Sequence, residues 1–404
     1  MKKEHIVFFK NETFRFYIKE NVGLCMDIKD GIKFVFSECV LKDSTPDFDV
    51  AVSENGIHIV CQSDKGAIFN LCYDGKNFKN TCILESREKV YEFKNITLLT
   101  SQNRICLIYV IHTKDGYILV SQFLNEQKNT PRAIDYIESA SFSACSDNLG
   151  NITILYRNGD EISGIKKLCC SKADYNSFVP LECGCILENP VIVSEKEDVL
   201  QIAAYATFDK FTNVLYLSKD IAHDQCSISA VHLVSGNSNG LCLSKHEDSL
   251  YISWCENGLV MSANMNGNNW SSPKKYIKGT DCENILYKIH SAAEVFNAYG
   301  FSRDGQIYMY HPYDVWDFKD RIKKQPPVTA ETKDNKTSGY VLKSTYKRDL
   351  ASLKKLLSGQ NDIIMELFKK IAVLERTASV HDEIVEDTDK LDNLAMENAK
   401  KDIS

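Results

Sequence analysis

The sequence of 404 residues has no long hydrophobic run and no excess of positive charge. Its apolar stretch near the start extends only from Ile6 to Phe9 before Lys10, which is too short for an export signal or a membrane span. The net charge of −7 argues against nucleic acid or an anionic membrane as a partner. We therefore expect a cytoplasmic protein, and incorporation into a spore or virion assembly is the alternative location.

The motifs of common catalytic folds are also missing. The sequence contains no phosphate-binding loop, no dinucleotide-binding fingerprint and no serine nucleophile elbow. The nine histidines are dispersed, with His58 predicted on the polar face of a strand and His112 near a turn. Arginine is scarce before residue 318, where its positions are Arg15, Arg87, Arg104, Arg132, Arg157 and Arg303. We predict no enzymatic activity and no cofactor.

Cysteine is abundant, but it is not spaced for a metal site. All fifteen cysteines lie between Cys25 and Cys282. The close pairs, Cys169-Cys170 and Cys183-Gly184-Cys185, lack the two-residue gap that zinc and thioredoxin-like motifs prefer. We predict reduced thiols that act as small hydrophobic side chains, with a metal site built from both pairs, or cross-linking within an assembly, as alternatives.

A strand with an apolar side chain at every second position recurs seven times. The copies begin at the anchor residues Phe14, Ile57, Ile105, Ile152, Leu200, Leu250 and Phe296. Successive anchors are 43, 48, 47, 48, 50 and 46 residues apart, and small or apolar side chains follow most anchors after two and four residues. A period in the forties that is built from short strands and turns is typical of a β-propeller.

Each copy predicts several strands of one blade. A shorter apolar run precedes most anchors and is interpreted as the inner strand, and a third strand follows a tight turn such as Asn257-Gly258 or Asp304-Gly305. At the two ends, residues 5–9 supply an inner strand and residues 313–318 are all that remains for a last strand. We predict an all-β fold, a propeller of seven blades with four antiparallel strands each, or alternatively six blades with an irregular first copy.

Two turns after third strands carry a resemblance to a known superfamily. They are residues 73–78, YDGKNF, and residues 265–273, MNGNNWSSP. Each contains an acidic or amide residue, a glycine, two further residues and an aromatic ring. This pattern resembles the turn of sialidase-like and lectin-like propellers. In the second copy, Ala263 and Met265 stand in place of the Ser and Asp of the full motif. The resemblance implies the fold. A sialidase-like activity would need clustered arginines, which the scattered positions do not supply, and the Gly-His and Trp-Asp pairs of the WD-repeat family do not recur.

Two kinds of position are candidates for ligand contact. Thr97, Ser143, Ser244 and His290 are predicted to line the central channel as a neutral polar set, which either holds a small ligand or packs around the axis. The longer connections from Asn125 to Arg132 and from Ser171 to Pro180 are recognition candidates, with ordinary solvated loops as the alternative.

The composition changes after the predicted propeller, residues 1–318. Residues 319–340 are polar, contain Pro326-Pro327 and are predicted to be a linker. Residues 341–378 predict a coiled-coil helix, and residues 379–404 an acidic, disordered tail. The alternative for the helix is docking on the propeller. The oligomerisation seam is predicted at Leu350, Leu353, Leu357, Gln360, Ile364, Leu367, Ile371 and Leu374.

A ring on an oligomerising stalk suits multivalent binding, because linking weak sites raises avidity. The leading hypothesis is a non-enzymatic binding or scaffold protein, a dimer or trimer through its helix, whose propeller faces contact a protein or a glycan. The alternatives are a structural subunit of a spore, virion or similar assembly, which the many cysteines favour, and a glycan-processing hydrolase, which would require a pocket of acidic and arginine side chains.

Overall fold

The computed structural model describes residues 2–310, except for 86–91, 103, 115, 125–129, 159–161, 170–173, 182, 184, 197, 209–210, 247–248, 268, 277–281 and 291–294. This described part contains twenty-eight β-strands and no helix, which confirms the all-β class there. It accordingly holds no helix long and apolar enough to cross a membrane. The predicted linker, helix and tail, with the seam from Leu350 to Leu374, lie outside the described residues.

Consecutive strands pair antiparallel in groups. The first group comprises β1 (Lys2–Phe9), β2 (Glu12–Lys19), β3 (Gly23–Asp30) and β4 (Lys33–Leu41). The second comprises β5 (Ser44–Ser53), β6 (Gly56–Ser63), β7 (Ile68–Tyr73) and β8 (Phe78–Leu84). The third comprises β9 (Thr97–Ser101), β10 (Arg104–Thr113), β11 (Gly116–Phe123) and the first half of β12 (Arg132–Ser146).

The fourth group begins with the second half of β12, which pairs with the next strand of the chain. It continues through β13 (Ile152–Asn158), β14 (Ser163–Cys169), β15 (Asp174–Tyr175) and β16 (Val179–Pro180). The fifth is β17 (Glu188–Lys196), β18 (Val199–Phe208), β19 (Phe211–Asp220) and β20 (Gln225–Leu233). The sixth is β21 (Ser238–His246), β22 (Ser249–Glu256), β23 (Leu259–Asn266), β24 (Asn269–Trp270) and β25 (Lys274–Tyr276). The last described group is β26 (Ile285–His290), β27 (Val295–Arg303) and β28 (Gln306–Met309).

The anchor residues occupy equivalent places in these groups. Each lies on the second strand of its group, in β2, β6, β10, β13, β18, β22 and β27, and each is buried. The side chains two residues later, from Phe16 to Ala298, are buried as well. The alternating pattern therefore marks the second strand of each group, which follows the inner strand as predicted.

The hydrophobic core is divided into clusters that lie between successive groups. Phe14 and Val50, for example, pack between the first and second groups, and Leu243 and Trp254 belong to the cluster between the fifth and sixth. The remaining clusters follow the same order along the chain. The final one joins Ile6 of β1 to strands β26–β28, so that the last group packs on the first. Face-to-face packing that returns to its starting group is the architecture of a β-propeller.

The ring closes through its inner strands, meaning the first strand of each group. β1 pairs with β26 in parallel, from Lys2 opposite Ile285 to Val7 opposite His290. This pairing places residues 5–9 on an inner strand, as predicted. The proposed last strand at residues 313–318 lies outside the described residues, and the last group has three strands in the part that is described.

The outer strands carry irregularities that protect their edges. The pairing register shifts twice in β4, and once each in β8 and β20. In β4, Val35 and Phe36 are about half exposed, at 53% and 51%. The amide of Phe34 on that strand donates to the carbonyl oxygen of Gly305, at 2.8 Å. Because bulges and covered amides oppose further strand addition, these edges are poor templates for pairing with another chain.

Candidate functional site

Four ionisable side chains meet where the inner strands of the first, second and last groups converge. We call His5, Asp49, Lys288 and His290 the inner-strand cluster. The Lys288 ammonium lies 2.9 and 2.7 Å from the two carboxylate oxygens of Asp49. His5 Nε2 is 3.6 Å from Asp49 Oδ1, and His5 Nδ1 is 3.3 Å from His290 Nε2. The cluster thus links three strands that are far apart in the sequence.

The protonation of this cluster follows from its burial. Burial lowers the pKa of His5 well below its usual value and that of His290 to about 3, so both rings are neutral at neutral pH. Burial alone would raise the pKa of Asp49, but the attraction of Lys288, with Lys3 further away, holds it below its usual range. Burial lowers the pKa of Lys288, and Asp49 opposes that shift. The cluster therefore carries one closed ion pair beside a neutral histidine pair.

Asp49 also reaches the third group, together with Asp47 on the same strand. Asp49 Oδ2 accepts the backbone N–H of Leu98 at 2.8 Å, and Asp47 accepts those of Lys94 and Ile96 at 2.7 and 2.9 Å. The two carboxylates thereby accept hydrogen bonds from backbone N–H groups, at and just before β9, that point toward β5 and have no backbone acceptor there. Since Asp49 is only 1% exposed and His5 is fully buried, the cluster is a structural joint rather than an open ligand site.

The predicted neutral channel is only partly correct. Ser244 and His290 are buried, and Thr97 and Ser143 are half-buried. His290, however, belongs to a cluster that contains a carboxylate and an ammonium, which the prediction missed. The only signal in the sequence was the placement of charged residues at alternate positions within two apolar inner strands.

His58 was predicted on a polar face, and this prediction is wrong. The side chain is buried, with Nε2 3.3 Å from Ser53 Oγ, and burial lowers the pKa of the ring. The error has a physical cause, because all eight residues of β6 are buried and the strand has no polar face.

The described arginines are distributed over the ring. Arg15, Arg104, Arg132, Arg157 and Arg303 lie on five different strands. Arg15 is engaged by a bidentate pair of hydrogen bonds to Glu4, at 2.7 and 2.9 Å, and it lies 3.5 Å from Asp27. Its guanidinium is therefore already neutralised within the fold.

Both turns that carry the superfamily resemblance are well-formed. Asp74 Oδ1 accepts the backbone N–H groups of Lys76 and Asn77 at 2.7 and 2.9 Å, and the rings of Tyr73 and Phe78 lie 4.7 Å apart. In the second turn, Met265 pairs with Trp270. These contacts stabilise the turn itself.

Of the two predicted recognition loops, residues 125–129 and 171–173 lie outside the described residues, but the described residues Arg132 on β12 and Asp174 on β15 are in contact. Arg132, at the end of the first loop, donates to the carboxylate of Asp174 in the second, and its guanidinium lies 5.4 Å from the centre of the Tyr175 ring. The side chains of Arg132 and Asp174 are 50% and 67% exposed. We call Arg132, Asp174 and Tyr175 the rim patch.

The described cysteines are free thiols, and most are buried or half-buried. Cys82 is the exposed member among those described. Residues 2–310, within the limits given above, contain no group of three or more His, Cys, Asp or Glu side chains arranged to hold a metal ion. Cys170, one of the predicted pair with Cys169, lies outside the described residues.

No protein-family model matches the chain, and no curated protein matches it. Solved structures do align with part of the chain. A fungal lectin from Aleuria aurantia with a six-bladed β-propeller aligns at 10% identity with a TM-score of 0.41, covering 67% of this chain and 94% of the lectin. An ulvan lyase aligns at 10% identity with a TM-score of 0.47, covering 65% and 81%. AofleA from Arthrobotrys oligospora aligns at 11% identity with a TM-score of 0.41, covering 67% and 87%. Similarities at this distance assign no ligand or reaction to this chain.

Proposed function

We propose that the protein is a non-enzymatic binding or scaffold protein whose propeller surface contacts a protein or a glycan. The observation that carries this proposal is the rim patch, where Arg132 at the start of β12 contacts Asp174 and the ring of Tyr175 on β15. Loops held by a rigid scaffold are the usual place for recognition.

The chemistry of the rim patch suits either ligand class. A guanidinium offers several N–H donors in one plane, a carboxylate accepts hydrogen bonds, and the half-buried ring of Tyr175 supplies a flat apolar surface. Tyrosine and arginine are also the side chains that dominate protein interfaces. Because the ion pair is exposed, opening it to bind a ligand costs little free energy.

We further propose seven blades. Each of the seven strand groups would form one blade, since a separate apolar cluster packs between each group and the next. The Aleuria aurantia lectin has six blades, and the fused sheet of the first and last groups is where the two counts differ.

Self-association through residues 341–378 is part of the same proposal. It rests on the heptad pattern from Leu350 to Leu374. Light scattering of the full chain and of a chain ending at Asp320 tests it. A dimer or trimer that becomes monomeric on truncation supports the helix as the oligomerisation element, whereas two monomers contradict it.

The binding proposal is tested with the full chain on an array of immobilised glycans and peptides. Fucose-containing glycans belong on the array because the Aleuria aurantia lectin is fucose-specific, and ulvan serves as a substrate control because an ulvan lyase shares the fold. Arg132→Ala and Asp174→Ala should abolish a specific signal. The matched control is Arg303→Ala, which removes another exposed arginine beside an aspartate, at 4.0 Å. Equal binding by all three variants, or cleavage of ulvan, would contradict the proposal.

A further inference from the structure

A polar cavity lies at the end of the hairpin that joins β19 to β20. Its volume is about 580 Å³, and it is lined by residues 218–220 and 224–227. This volume lies within the range of small-molecule sites, about 300–1,000 Å³. The residues of the rim patch lie on other strands, β12 and β15. The cavity is therefore a separate candidate for ligand binding, and it does not depend on the function proposed for the rim patch.

The cavity is lined by a lysine whose side chain is almost completely buried. The side chain of Lys219 is 2% exposed. It follows Leu215 and Leu217 at alternate positions of β19, and these two leucines belong to the core cluster that also contains Leu181. The aliphatic part of the lysine thus continues an apolar face of the strand. Because a buried charge without a partner is strongly destabilising, the ammonium of Lys219 needs an anion beside it.

The anion comes from a residue that is itself exposed. Lys219 Nζ donates to Asp224 Oδ1, and the Asp224 side chain is 74% exposed. Asp224 lies in the turn between the two strands, with a positive φ of 52°. Within the described part of the chain, it is the one carboxylate paired with Lys219. An ammonium has more N–H donors than this single bond uses, so the site can accept a further hydrogen-bond acceptor.

Other contacts hold the turn in place. Asp220 Oδ1 accepts the backbone N–H of His223 at 3.0 Å, and the amide of Ile221 donates to the carbonyl oxygen of Asp198 at 2.8 Å. Neither contact involves the carboxylate of Asp224. The Asp224 side chain can therefore rotate into solvent while the backbone of the turn stays where it is. If another carboxylate then takes its place, the ion pair with Lys219 is conserved.

We propose that this cavity binds a small carboxylate ligand, with Lys219 as the cationic anchor and Asp224 as an intrachain competitor. The carboxylate of Asp224 shows which chemical group fits the ammonium. Ser218, Gln225 and Ser227 also line the cavity, and their hydroxyl and amide groups can bind the hydroxyls of an acidic sugar. An acidic sugar and a simple carboxylic acid share the carboxylate, and the experiment separates them.

The test measures binding of D-glucuronate, acetate and D-glucose to the full chain by isothermal titration calorimetry. Glucuronate should bind, and glucose, which lacks the carboxylate, should not. Lys219→Met should weaken glucuronate binding about tenfold or more, because a charge-assisted hydrogen bond is lost. Asp224→Asn should strengthen it about two- to fivefold, because the competing carboxylate of an exposed ion pair is removed. Asparagine also tolerates the positive φ of this position.

Arg132→Ala, which alters the rim patch, is the control and should leave glucuronate binding unchanged. Tighter binding of glucuronate than of acetate supports an acidic sugar as the ligand, and equal binding supports a simple carboxylate. Four results would overturn the proposal: neither acid binds, glucose binds as well as glucuronate, Lys219→Met binds like the wild type, or Asp224→Asn binds no more tightly than the wild type. Loss of binding in Arg132→Ala would also overturn it, by placing the ligand at the rim patch. Urea unfolding of each variant establishes that it is folded.

Discussion

Replacing Asp49 by alanine should destabilise the ring more than most single substitutions. The carboxylate is 1% exposed, and its removal leaves the Lys288 ammonium, 13% exposed, without its partner at 2.7 Å. The backbone N–H of Leu98 also loses the acceptor that lay at 2.8 Å. Removing one member of a buried ion pair costs about 3–5 kcal/mol, and an orphaned buried amide adds about 1–3 kcal/mol. We expect a loss of roughly 4 kcal/mol after partial relaxation.

The measurement is urea unfolding followed by circular dichroism, with the midpoint and slope compared between variants. Lys288→Met should also be destabilising, because it leaves buried Asp49 beside neutral His5 with only the partly exposed Lys3, 3.9 Å away, as a cation. The double variant Asp49→Leu with Lys288→Met should recover much of the loss, since a well-packed apolar pair can replace a buried ion pair at little cost. A double-mutant cycle that compares this double variant with the single variants Asp49→Leu and Lys288→Met isolates the coupling between the two sites.

The reasoning is refuted if Asp49→Ala costs less than about 1 kcal/mol, the range of exposed ion pairs. It is equally refuted if the effects of the two single replacements simply add in the double variant. Arg303→Ala, which breaks an exposed contact with Asp304, is the matched control and should change stability by less than about 0.5 kcal/mol.

Three further expectations follow from other contacts. The pKa of His290 is lowered from 6.5 to about 3, so its contribution to stability is complete above pH 6.5 and is lost as pH falls toward 3. The loss of stability should reach about 2 kcal/mol by pH 5 in acid unfolding curves. His290→Gln should flatten this pH dependence. Gly305 and Gly258 both have positive φ, +77° and +78°, but only at Gly305 would an added Cβ lie 3.0 Å from a backbone oxygen, that of Phe34. Gly305→Ala should therefore lower the melting temperature more than Gly258→Ala does. Asp74→Ala removes the acceptor of two turn amides, and should lower the urea midpoint slightly without changing any ligand signal of the rim patch.

The sequence pattern was sufficient to locate the strands because burial repeats locally. Phe14 and Ile252 occupy the same kind of place in different groups, and each lies on a strand whose side chains alternate in direction. His58 shows where this logic fails. In a strand that is buried throughout, alternation no longer separates an inside from an outside, and a polar residue does not indicate a surface.

The inner-strand cluster was beyond prediction for a different reason. Lys288 and Asp49 are 239 residues apart in the chain, and His5 and His290 are 285 apart. A periodic pattern shows that groups repeat, but it does not show which side chains of the first and last groups meet. For the rim patch, the sequence indicated the two segments that contain Arg132 and Asp174, because their connections are long. It did not indicate that these two residues pair, because that contact depends on how neighbouring groups pack.

Stability and binding should therefore be separable in this fold. The ring depends on one joint, where β1 pairs with β26 and Asp49 joins the last group to the second and third. A change there acts on the whole closed array, because opening it exposes the inner edges of two groups. The rim patch lies on exposed side chains whose ion pair contributes little to folding. Variants at Arg132 should consequently lose ligand while keeping the unfolding midpoint, and variants at Asp49 should lower that midpoint while the remaining folded fraction still binds.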